Sequence, residues 1–237
     1  MDDKNVYTDS IAVWYDKIME AGYLQHEQAA NALDQIMTGR KSLLELGIGT
    51  GLMAEKMLKR GYEITGIDFT QSMLNQALRR LNGRAELIVG NVIELSLSGT
   101  YDAAYSEGGV WIMTRSSQGD ISLESHIPDE KGNLLGLENM CSVIKPSGLL
   151  VLNIQGAHVD IDSMKLKDNA IYSQRVVYDL PHIHKTYYVK KKGRVVAEQS
   201  CVYRRFTDQE LQRAIVRCNL EDVGLDSSGQ FYVFKKK

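Results

Sequence analysis

The stretch that decides the fold is Leu43-Leu44-Glu45-Leu46-Gly47-Ile48-Gly49-Thr50-Gly51. Its apolar first half, within residues 42–46, predicts a short buried strand. Its three glycines predict a sharp turn in which the backbone can approach a ligand without a Cβ in the way. A helix is predicted from about Leu52 to Arg60, and Gly61 follows it as is typical after a helix end. A strand, a glycine turn and a helix in this order predict the first unit of a βαβ fold.

Strands and helices continue to alternate on the C-terminal side of this stretch. The pattern predicts strands at 63–67, 85–89, 101–106 and 149–154, and helices at 71–81 and 134–144. This alternation predicts an α/β fold with a doubly wound, mostly parallel sheet. Such a sheet binds its ligand outside the carboxyl ends of its strands. The residues that directly follow each strand are therefore the candidates for function.

The two ends of the chain have other patterns. Helical spacing over 11–37, broken near Gly22, predicts two N-terminal covering helices. Segments rich in Val, Tyr and Thr predict an antiparallel β insertion, with strands at 174–178, 185–190 and 194–203. Thr207 and Glu210 have the spacing of a capping box and predict a last helix. Two closing strands, at 220–224 and 230–234, complete a sheet of seven strands.

Composition limits the class of protein. The chain has 237 residues, of which 24% are charged, and a formal net charge of −2. The length predicts one domain, and the near-zero charge disfavours nucleic acid as a partner, since phosphate contacts need an excess of Lys and Arg. The three cysteines are widely spaced, which predicts neither a disulfide framework nor a zinc site. We find no secretory signal at 1–5 and no apolar run that could cross a bilayer, so we expect a soluble cytoplasmic protein.

Two acidic residues accompany the glycine turn. Asp68 directly follows the second predicted strand, where a carboxylate can accept hydrogen bonds from both hydroxyls of a ribose. The glycine spacing departs from the dinucleotide fingerprint, because the third glycine comes one position early, at Gly51. Glu45 would repel a pyrophosphate but suits a ligand with an ammonium group. The pattern therefore favours a nucleoside ligand other than a dinucleotide.

At these residues the chain resembles the Rossmann-like (class I) S-adenosylmethionine-dependent methyltransferases. Residues 45–51 are similar to the first motif of that family, Asp68-Phe69 to its acidic position after the second strand, and 143–148 to the turn before its fifth strand. The resemblance spans about residues 40–156 and implies S-adenosyl-L-methionine as the cofactor, with S-adenosyl-L-homocysteine as the product. It divides one methyltransferase domain, 1–237, into a helical cap (1–39), a cofactor-binding core (40–156), the insertion (157–205) and a closing helix with a β-hairpin (206–237).

The resemblance also implies the cofactor contacts. The glycine turn would hold the methionine part, Asp68 the ribose, and Phe69 and Met73 the adenine. Where the family commonly has an acidic residue after the third strand, this chain has Asn91-Val92, whose side-chain oxygen and backbone N–H can serve the adenine ring. The full set of expected cofactor-binding residues is Glu45, Gly47, Ile48, Gly49, Thr50, Gly51, Asp68, Phe69, Met73, Asn91, Val92, Ser106 and Tyr15.

Four residues are candidates for catalysis. Glu107, after the strand at 101–106, could bind or deprotonate an amine acceptor, or merely hydrogen-bond the backbone. Trp111 could wall the pocket or lie in the core. Tyr15 lies in a segment that resembles the "Tyr-Asp" helix covering the active site of small-molecule methyltransferases, and it could bind the cofactor carboxylate or the acceptor, or be a core residue. His158, which follows the strand at 149–154, lies near the expected acceptor.

Other features are weaker. His126 lies in a long polar stretch, 116–132, which predicts a lid or a specificity loop. His182 and His184 would share one face of a strand, but no Asp-Asp-Asn cluster accompanies them, and we expect no metal. The tyrosines of the insertion suit either a pocket rim or a subunit interface, so a homodimer is one option.

The sequence therefore predicts a methyltransferase that acts on a small molecule, with an amine nitrogen as the first choice of acceptor. Three alternatives stay open: an O-methyltransferase of a small metabolite, an RNA or protein methyltransferase, and a non-catalytic or nicotinamide-dependent cofactor-binding protein.

Overall fold

The computed structural model describes residues 5–23 and 26–237; residues 1–4, 24 and 25 of the expected helical cap lie outside this range. Six α-helices and thirteen strands form the described part. The helices are α1 (Asp9–Ile18), α2 (His26–Ile36), α3 (Leu52–Lys59), α4 (Gln71–Leu81), α5 (Glu130–Ser142) and α6 (Asp208–Arg217), with a π-helical turn at Met19–Tyr23 after α1 and a 3-10 turn at Lys167–Asn169.

The strands are β1 (Ser42–Leu46), β2 (Glu63–Asp68), β3 (Glu86–Val89), β4 (Tyr101–Ser106), β5 (Trp111–Arg115), β6 (Ile121–Ser125), β7 (Ile144–Gly156), β8 (Ile161–Lys165), β9 (Ala170–Asp179), β10 (His182–Lys191), β11 (Arg194–Arg205), β12 (Leu220–Leu225) and β13 (Phe231–Lys236).

Seven of these strands form the predicted doubly wound sheet. Their order is β3-β2-β1-β4-β7-β13-β12, and β13 alone runs antiparallel to the other six. Alternate residues of the central strands face opposite layers: Leu44 and Leu46 pack on one side, while Leu43 packs on the other with α2 and α3. The prediction of a seven-stranded, mostly parallel sheet is confirmed.

The helices have the apolar faces and the N-terminal cap that the sequence pattern predicts. In α4 the buried residues are Met73, Leu74, Ala77 and Leu81, the spacing of one face of a helix. At the start of α6 the Thr207 hydroxyl accepts from the Glu210 backbone N–H at 3.2 Å, and the Glu210 carboxylate accepts from the Thr207 backbone N–H at 2.6 Å. This reciprocal capping box satisfies two N–H groups that the helix itself leaves unpaired.

A second, antiparallel sheet is larger than the predicted insertion. Its order is β5-β6-β11-β10-β9-β8, and it joins the first sheet where the end of β7 pairs with β5. The hairpin of β5 and β6 corrects the prediction of a lid over 116–132, because Ile121–Ser125 is a strand paired with Trp111–Arg115. Only a short turn, residues 116–120, connects the two strands.

Helix α1 packs on the inner face of this second sheet. Ile11 and Ile18 are buried with Ile183, Tyr187 and Ala197 in a third apolar cluster. The helix therefore lies over the carboxyl ends of the parallel strands as well as over the insertion. None of the described helices is long and apolar enough to span a membrane.

Candidate active site

A cleft of about 250 Å³ lies at the carboxyl ends of the parallel strands, where the fold predicts a ligand. Its walls come from the turns after β1, β2, β3 and β4, from α1, and from the segment after β6. Eight of the expected cofactor residues line it: Tyr15, Gly47, Gly49, Asp68, Phe69, Met73, Asn91 and Val92.

The floor of the cleft is a contact between two backbone turns. A Cβ on Gly109 would lie 2.0 Å from the carbonyl oxygen of Leu46, and a Cβ on Gly47 would lie 2.7 Å from the Cα of Gly109. Gly47 also has a φ of +78°, in the left-handed region that favours glycine. Only glycine at both positions lets the turns after β1 and β4 meet, and this contact leaves room above them.

Asp68 connects the turns after β1 and β2. One carboxylate oxygen accepts from the Gly49 backbone N–H at 2.9 Å, and the other accepts from the Thr70 backbone N–H at 2.8 Å. Burial raises the pKa of Asp68, and the backbone hydrogen bonds oppose that shift. Since each carboxylate oxygen has two lone pairs, the group can still accept further hydrogen bonds from a ligand in the cleft.

Five expected cofactor residues lie behind the cleft instead of in its wall: Glu45, Ile48, Thr50, Gly51 and Ser106. Glu45 is 2% exposed and accepts from the Tyr105 hydroxyl at 2.8 Å; burial raises the pKa of Glu45 well above its usual value, which favours the neutral form. Ser106 donates to the Leu46 carbonyl at 3.1 Å. These residues shape and support the turn, and the idea that Glu45 meets an ammonium group directly has no geometric basis.

Thr50 also connects the glycine turn to α1, which the sequence did not predict. Its hydroxyl donates to Asp16 of α1 at 2.6 Å, and Arg80 of α4 forms an ion pair with the other Asp16 oxygen while donating to the Thr50 carbonyl at 2.9 Å. This network fastens α1 to the glycine turn. It places Tyr15, the neighbour of Asp16, over the cleft.

The buried Glu107 and the half-buried His26 face each other beside the turn after β4. Glu107 is 9% exposed, and its Oε1 lies 4.0 Å from His26 Nδ1. Among the described residues neither this oxygen nor either His26 nitrogen has a hydrogen-bond partner. Burial raises the pKa of Glu107 to about 7 and lowers that of His26. Buried polar atoms without partners cost free energy, so this pair is suited to a polar ligand.

A smaller chamber, of about 50 Å³, adjoins the cleft and shares Tyr7, Tyr15, Gly108 and His126 with it. The second sheet, α1 with the π-helical turn after it, and the end of β7 with the segment after it supply its remaining walls. Their side chains are Ile11, Ile18, Met19, Ile112, Gln155, His158, Tyr172, Lys185, Tyr187 and Tyr203. The two cavities together therefore provide one space for a nucleoside and another for a small second ligand.

The tyrosines of the chamber contact one another. The Tyr7 and Tyr15 rings meet edge to face with centroids 5.7 Å apart, and the Tyr187 hydroxyl lies 3.3 Å from that of Tyr7 and 3.2 Å from that of Tyr203. Burial raises the pKa of Tyr15, and the carboxylates of Glu107 and Asp68 raise it further. Burial raises the pKa of Tyr7 and Tyr187 in the same way, so the hydroxyls of Tyr7, Tyr15 and Tyr187 are neutral at physiological pH.

His158 is the chamber histidine with a charged neighbour. Its Nε2 lies 3.2 Å from Oε2 of Glu124, and Arg205 donates to Oε1 of Glu124 from two nitrogens at 2.7 and 2.9 Å. Burial lowers the pKa of His158, although Glu124 opposes the shift. For Glu124, burial raises the pKa, but His158 and Arg205 outweigh it and keep the group ionised. The contact is electrostatic, since neither His158 Nε2 nor Glu124 Oε2 has a hydrogen-bond partner among the described residues, and the ionised Glu124 favours protonation of the His158 ring.

Three other residues that the sequence offered as candidates lie outside both cavities. Trp111 is fully buried in the core and donates to Asn133 at 3.0 Å, so it does not wall either cavity. His182 lies 2.9 Å from the Pro128 carbonyl, and His184 is exposed on the outer face of β10. His126 does line both cavities, and its ring packs against that of Tyr203 at a tilt of 48°, with centroids 4.3 Å apart.

Sequence reasoning did not select Asp16, His26, Glu124 or Lys185. Asp16 lies inside α1 and His26 begins α2, and the other residues of these helices have an ordinary amphipathic pattern. Lys185 and Glu124 occupy inward positions of strands, where alternation with apolar neighbours is the only available signal. Their partners come from distant segments, so the pattern alone cannot distinguish them from solvated charges.

Comparison with protein families gives one match: residues 43–126 fit the family described as a methyltransferase domain. Among curated proteins, glycine N-methyltransferase of Rattus norvegicus is 30% identical over 125 residues, which cover 48% of this chain and 40% of that protein. The chain thus aligns with about 40% of the length of the curated relatives it matches.

Two solved structures resemble the whole chain. The CcbJ methyltransferase from Streptomyces caelestis superposes with a TM-score of 0.76 at 19% identity, covering 99% of this chain and 98% of that one. CalS10, an amino pentose methyltransferase from Micromonospora echinaspora solved with SAM bound, has a TM-score of 0.68 at 17% identity and covers 98% and 99%. At these identities the likeness concerns the fold.

Proposed function

We propose that the chain transfers the methyl group of S-adenosyl-L-methionine to a small-molecule acceptor, with an amine nitrogen as the first choice. Residues 43–126 are a methyltransferase domain, and the chain has the Rossmann-like class I fold. The observation that carries the proposal is the pair of adjoining cavities, one at the strand ends and one under the second sheet.

The cleft has the features that this cofactor needs. The close contact of Gly47 and Gly109 leaves a space beside bare backbone, which suits the methionine part. Beside the turn after β4, and outside the lining of both cavities, Glu107 and His26 have polar atoms without described hydrogen-bond partners, which an ammonium and a carboxylate group would satisfy. Asp68 would accept from the ribose, and Phe69 and Met73 would flank the adenine, with Asn91 and Val92 at its edge.

The acceptor would occupy the chamber. S-adenosyl-L-methionine supplies an activated methyl group that needs an aligned nucleophile more than it needs electrophilic help. Tyr7 and Tyr15 would orient the acceptor from the side of α1, and the closed walls would exclude water. Alignment of this kind can account for roughly 7–11 kcal/mol of barrier lowering.

His158 is the group best placed to remove a proton from the acceptor. It lines the chamber, it is neutral, and the Glu124 carboxylate would stabilise the imidazolium that forms when the ring accepts a proton. Glu107 also has a pKa suited to a base, but it lies beside His26 and outside the chamber lining. We therefore assign the removal of the acceptor's proton to His158, and we propose that Glu107, which is in the lining of neither cavity, acts on the cofactor tail from beside the turn after β4.

The names of the neighbours support an amine acceptor, since they include a glycine N-methyltransferase and an amino pentose methyltransferase. The small volume of the chamber favours a small acceptor over a nucleic-acid base or a protein side chain. Transfer to a hydroxyl group uses the same chamber and the same base, so O-methylation remains the second candidate.

Methyl-labelled S-adenosyl-L-methionine tests the proposal directly. Incubation with pooled small amines and hydroxyl compounds is expected to place label in the small-molecule fraction. Replacement of the base, His158→Asn, should lower kcat by about 10²–10⁴, with cofactor affinity unchanged. His184→Asn, on the exposed face of β10, serves as the matched control and should keep full activity.

Label found only in an RNA or protein fraction would contradict the assignment to small molecules. Binding of NADH in place of S-adenosyl-L-homocysteine would contradict the proposal as a whole.

A further inference from the structure

Two carboxylates line the described part of the cofactor cleft, Asp68 and Asp129. Asp68 is buried after β2, whereas Asp129 is exposed at the start of α5 and therefore lies at the open edge of the cleft. The sequence pattern did not single out Asp129. A carboxylate in a wall made mostly of apolar residues and glycines is a candidate for contact with a polar part of the ligand.

The two carboxylate oxygens of Asp129 have different surroundings. Oδ1 accepts from the Gly132 backbone N–H at 2.7 Å and so caps α5. Oδ2 makes no hydrogen bond or ion pair with any other described residue, and it lies 2.8 Å from the position that a Cβ on Gly132 would take. Because each carboxylate oxygen has two lone pairs, Oδ2 keeps its full capacity to accept from a ligand.

Helix α5 holds Asp129 beside the turn after β3. Cδ1 of Ile93 lies 3.0 Å from the same Cβ position on Gly132, so the Asp129 carboxylate and this turn are neighbours. The Asn139 side chain of α5 donates to the carbonyls of Val92 and Ile93 at 3.1 and 2.8 Å, which ties the helix to the turn. Asp129 is thus fixed at the end of the cleft where the edge of the adenine is proposed to lie.

Asn91, which the sequence offers for the adenine ring, has a structural role in this turn. Its side-chain oxygen accepts from the Ile93 backbone N–H at 3.0 Å, and its carbonyl accepts from the N–H groups of Glu94 and Leu95, both at 2.9 Å. Bonds of this kind between an asparagine and its own backbone stabilise a turn. Asp129 is therefore the less committed acceptor at this end of the cleft.

We propose that Oδ2 of Asp129 accepts a hydrogen bond from the exocyclic amine of the cofactor's adenine and thereby selects a 6-aminopurine. This inference rests on the proposed function and deepens it. A carboxylate can only accept hydrogen bonds, so it favours an amine at this position and disfavours a keto oxygen, whose lone pairs would face its own. The acceptor that sequence reasoning placed on the turn after β3 thus comes from α5.

Adenosine and purine riboside differ only in the exocyclic amine, so together they isolate this contact. Ligand-observed NMR, with S-adenosyl-L-homocysteine as the competitor, is expected to show that the unaltered protein binds adenosine about fivefold or more tightly than purine riboside. Asp129→Ser keeps a residue that can cap α5 and removes the second oxygen. This variant should lose the preference by weakening the binding of adenosine alone. Glu130→Gln, which alters the neighbouring carboxylate that pairs with Arg213 outside the cleft, is the matched control and should keep the preference.

Calorimetry of S-adenosyl-L-homocysteine accompanies these titrations. We expect its affinity to fall about fivefold or more in Asp129→Ser and to stay unchanged in Glu130→Gln. Equal binding of the two nucleosides to the unaltered protein, a preference that survives Asp129→Ser, or unchanged calorimetric affinity in that variant would overturn the assignment of Asp129 and leave the cofactor assignment standing. An equal loss for both nucleosides in Asp129→Ser would also overturn it, since Asp129 would then act only through α5. Failure of the unaltered protein to bind S-adenosyl-L-homocysteine would overturn the proposed function and the inference with it.

Discussion

Some polar side chains near the cleft are buried without a described hydrogen-bond partner, at a cost in folding free energy that ligand binding can remove. Glu107 is the clearest case, because it is buried with one oxygen that has no described hydrogen-bond partner. The protein keeps this group where an ordinary core would have an amide or an apolar residue. Such a position is typical of a binding site, in which stability is lower than it could be.

We expect Glu107→Gln to stabilise the ligand-free protein at high pH. Burial raises the pKa of Glu107 from 4.5 to about 7. Between these values the folded protein binds more protons than the unfolded chain, so its stability falls as pH rises from about 4.5 to 7. The variant should therefore gain about 1–3 kcal/mol at pH 8 and show little difference at pH 4.5. Urea unfolding at both pH values measures this.

Glu198→Gln, at an exposed position of β11, is the control and should show no such difference between the two pH values. An equal effect of Glu107→Gln at pH 4.5 and pH 8 would mean that the charge of Glu107 is not the cause.

A second prediction at the scale of single residues concerns the effect of a side chain at Gly109. A Cβ there would lie 2.0 Å from the Leu46 carbonyl oxygen, and both partners are backbone, so neither can move cheaply. Gly109→Ala should destabilise the protein by about 3 kcal/mol or more and weaken cofactor binding, since the two turns would separate. Thermal unfolding with and without S-adenosyl-L-homocysteine checks both effects.

Gly156→Ala provides the comparison, because a Cβ on Gly156 meets nothing within 4 Å. If the two alanine variants were equally stable, the close contact of the turns after β1 and β4 would not exist.

At the scale of elements, α1 decides whether the two cavities are covered. The helix supplies Tyr15 to both cavities and Ile11 to the chamber, and Asp16 ties it to the glycine turn and to α4. Gln76 of α4 adds a bond to the Ala12 carbonyl at 2.7 Å. The cover is thus held by polar bonds at one end and by apolar packing on the second sheet.

Asp16→Asn should loosen this cover without unfolding the domain. The substitution removes the charge that pairs with Arg80 and leaves the first sheet untouched. Because hydrogen bonds to charged groups contribute about 1.5–3 kcal/mol, we expect roughly tenfold weaker binding of S-adenosyl-L-homocysteine. Calorimetry measures the affinity.

Asp9→Asn, in the exposed first turn of the same helix, should have little effect on the same measurement. Unchanged affinity for Asp16→Asn would show that the position of α1 does not depend on this network.

At the scale of the whole molecule, β7 brings the two sheets together. Within β7, residues 144–153 pair with β4 and β13, and residues 154–156 pair with β5, so the strand belongs to both sheets. The cofactor cleft and the chamber adjoin because of this shared strand. His158 follows it by two residues and reaches the chamber for the same reason.

The sequence predicted the parallel core well, because local signals and global fold agree there. The bounds of α4 and the capping box of Thr207 and Glu210 are examples. It missed the hairpin of β5 and β6, since Glu124 and Ser125 are fully buried polar residues that read as surface. Burial of the Glu124 carboxylate is tolerated because Arg205 donates hydrogen bonds to it, and Arg205 lies 81 residues away in the sequence. Lys185 was not predicted as a cavity residue for the same reason, because the other residues that line the chamber come from distant segments of the chain.

The measurement that tests the central claim most directly is calorimetric titration of S-adenosyl-L-homocysteine into the unaltered protein and into Asp68→Ala. We predict one site per chain and at least a tenfold loss of affinity in the variant, because the carboxylate that would hold the ribose is gone. Asp102→Ala is the matched control, since Asp102 also accepts from two backbone N–H groups, of Lys41 and Ser42, but lies away from the cleft. Absence of binding to the unaltered protein, or equal affinity in Asp68→Ala, would contradict the account.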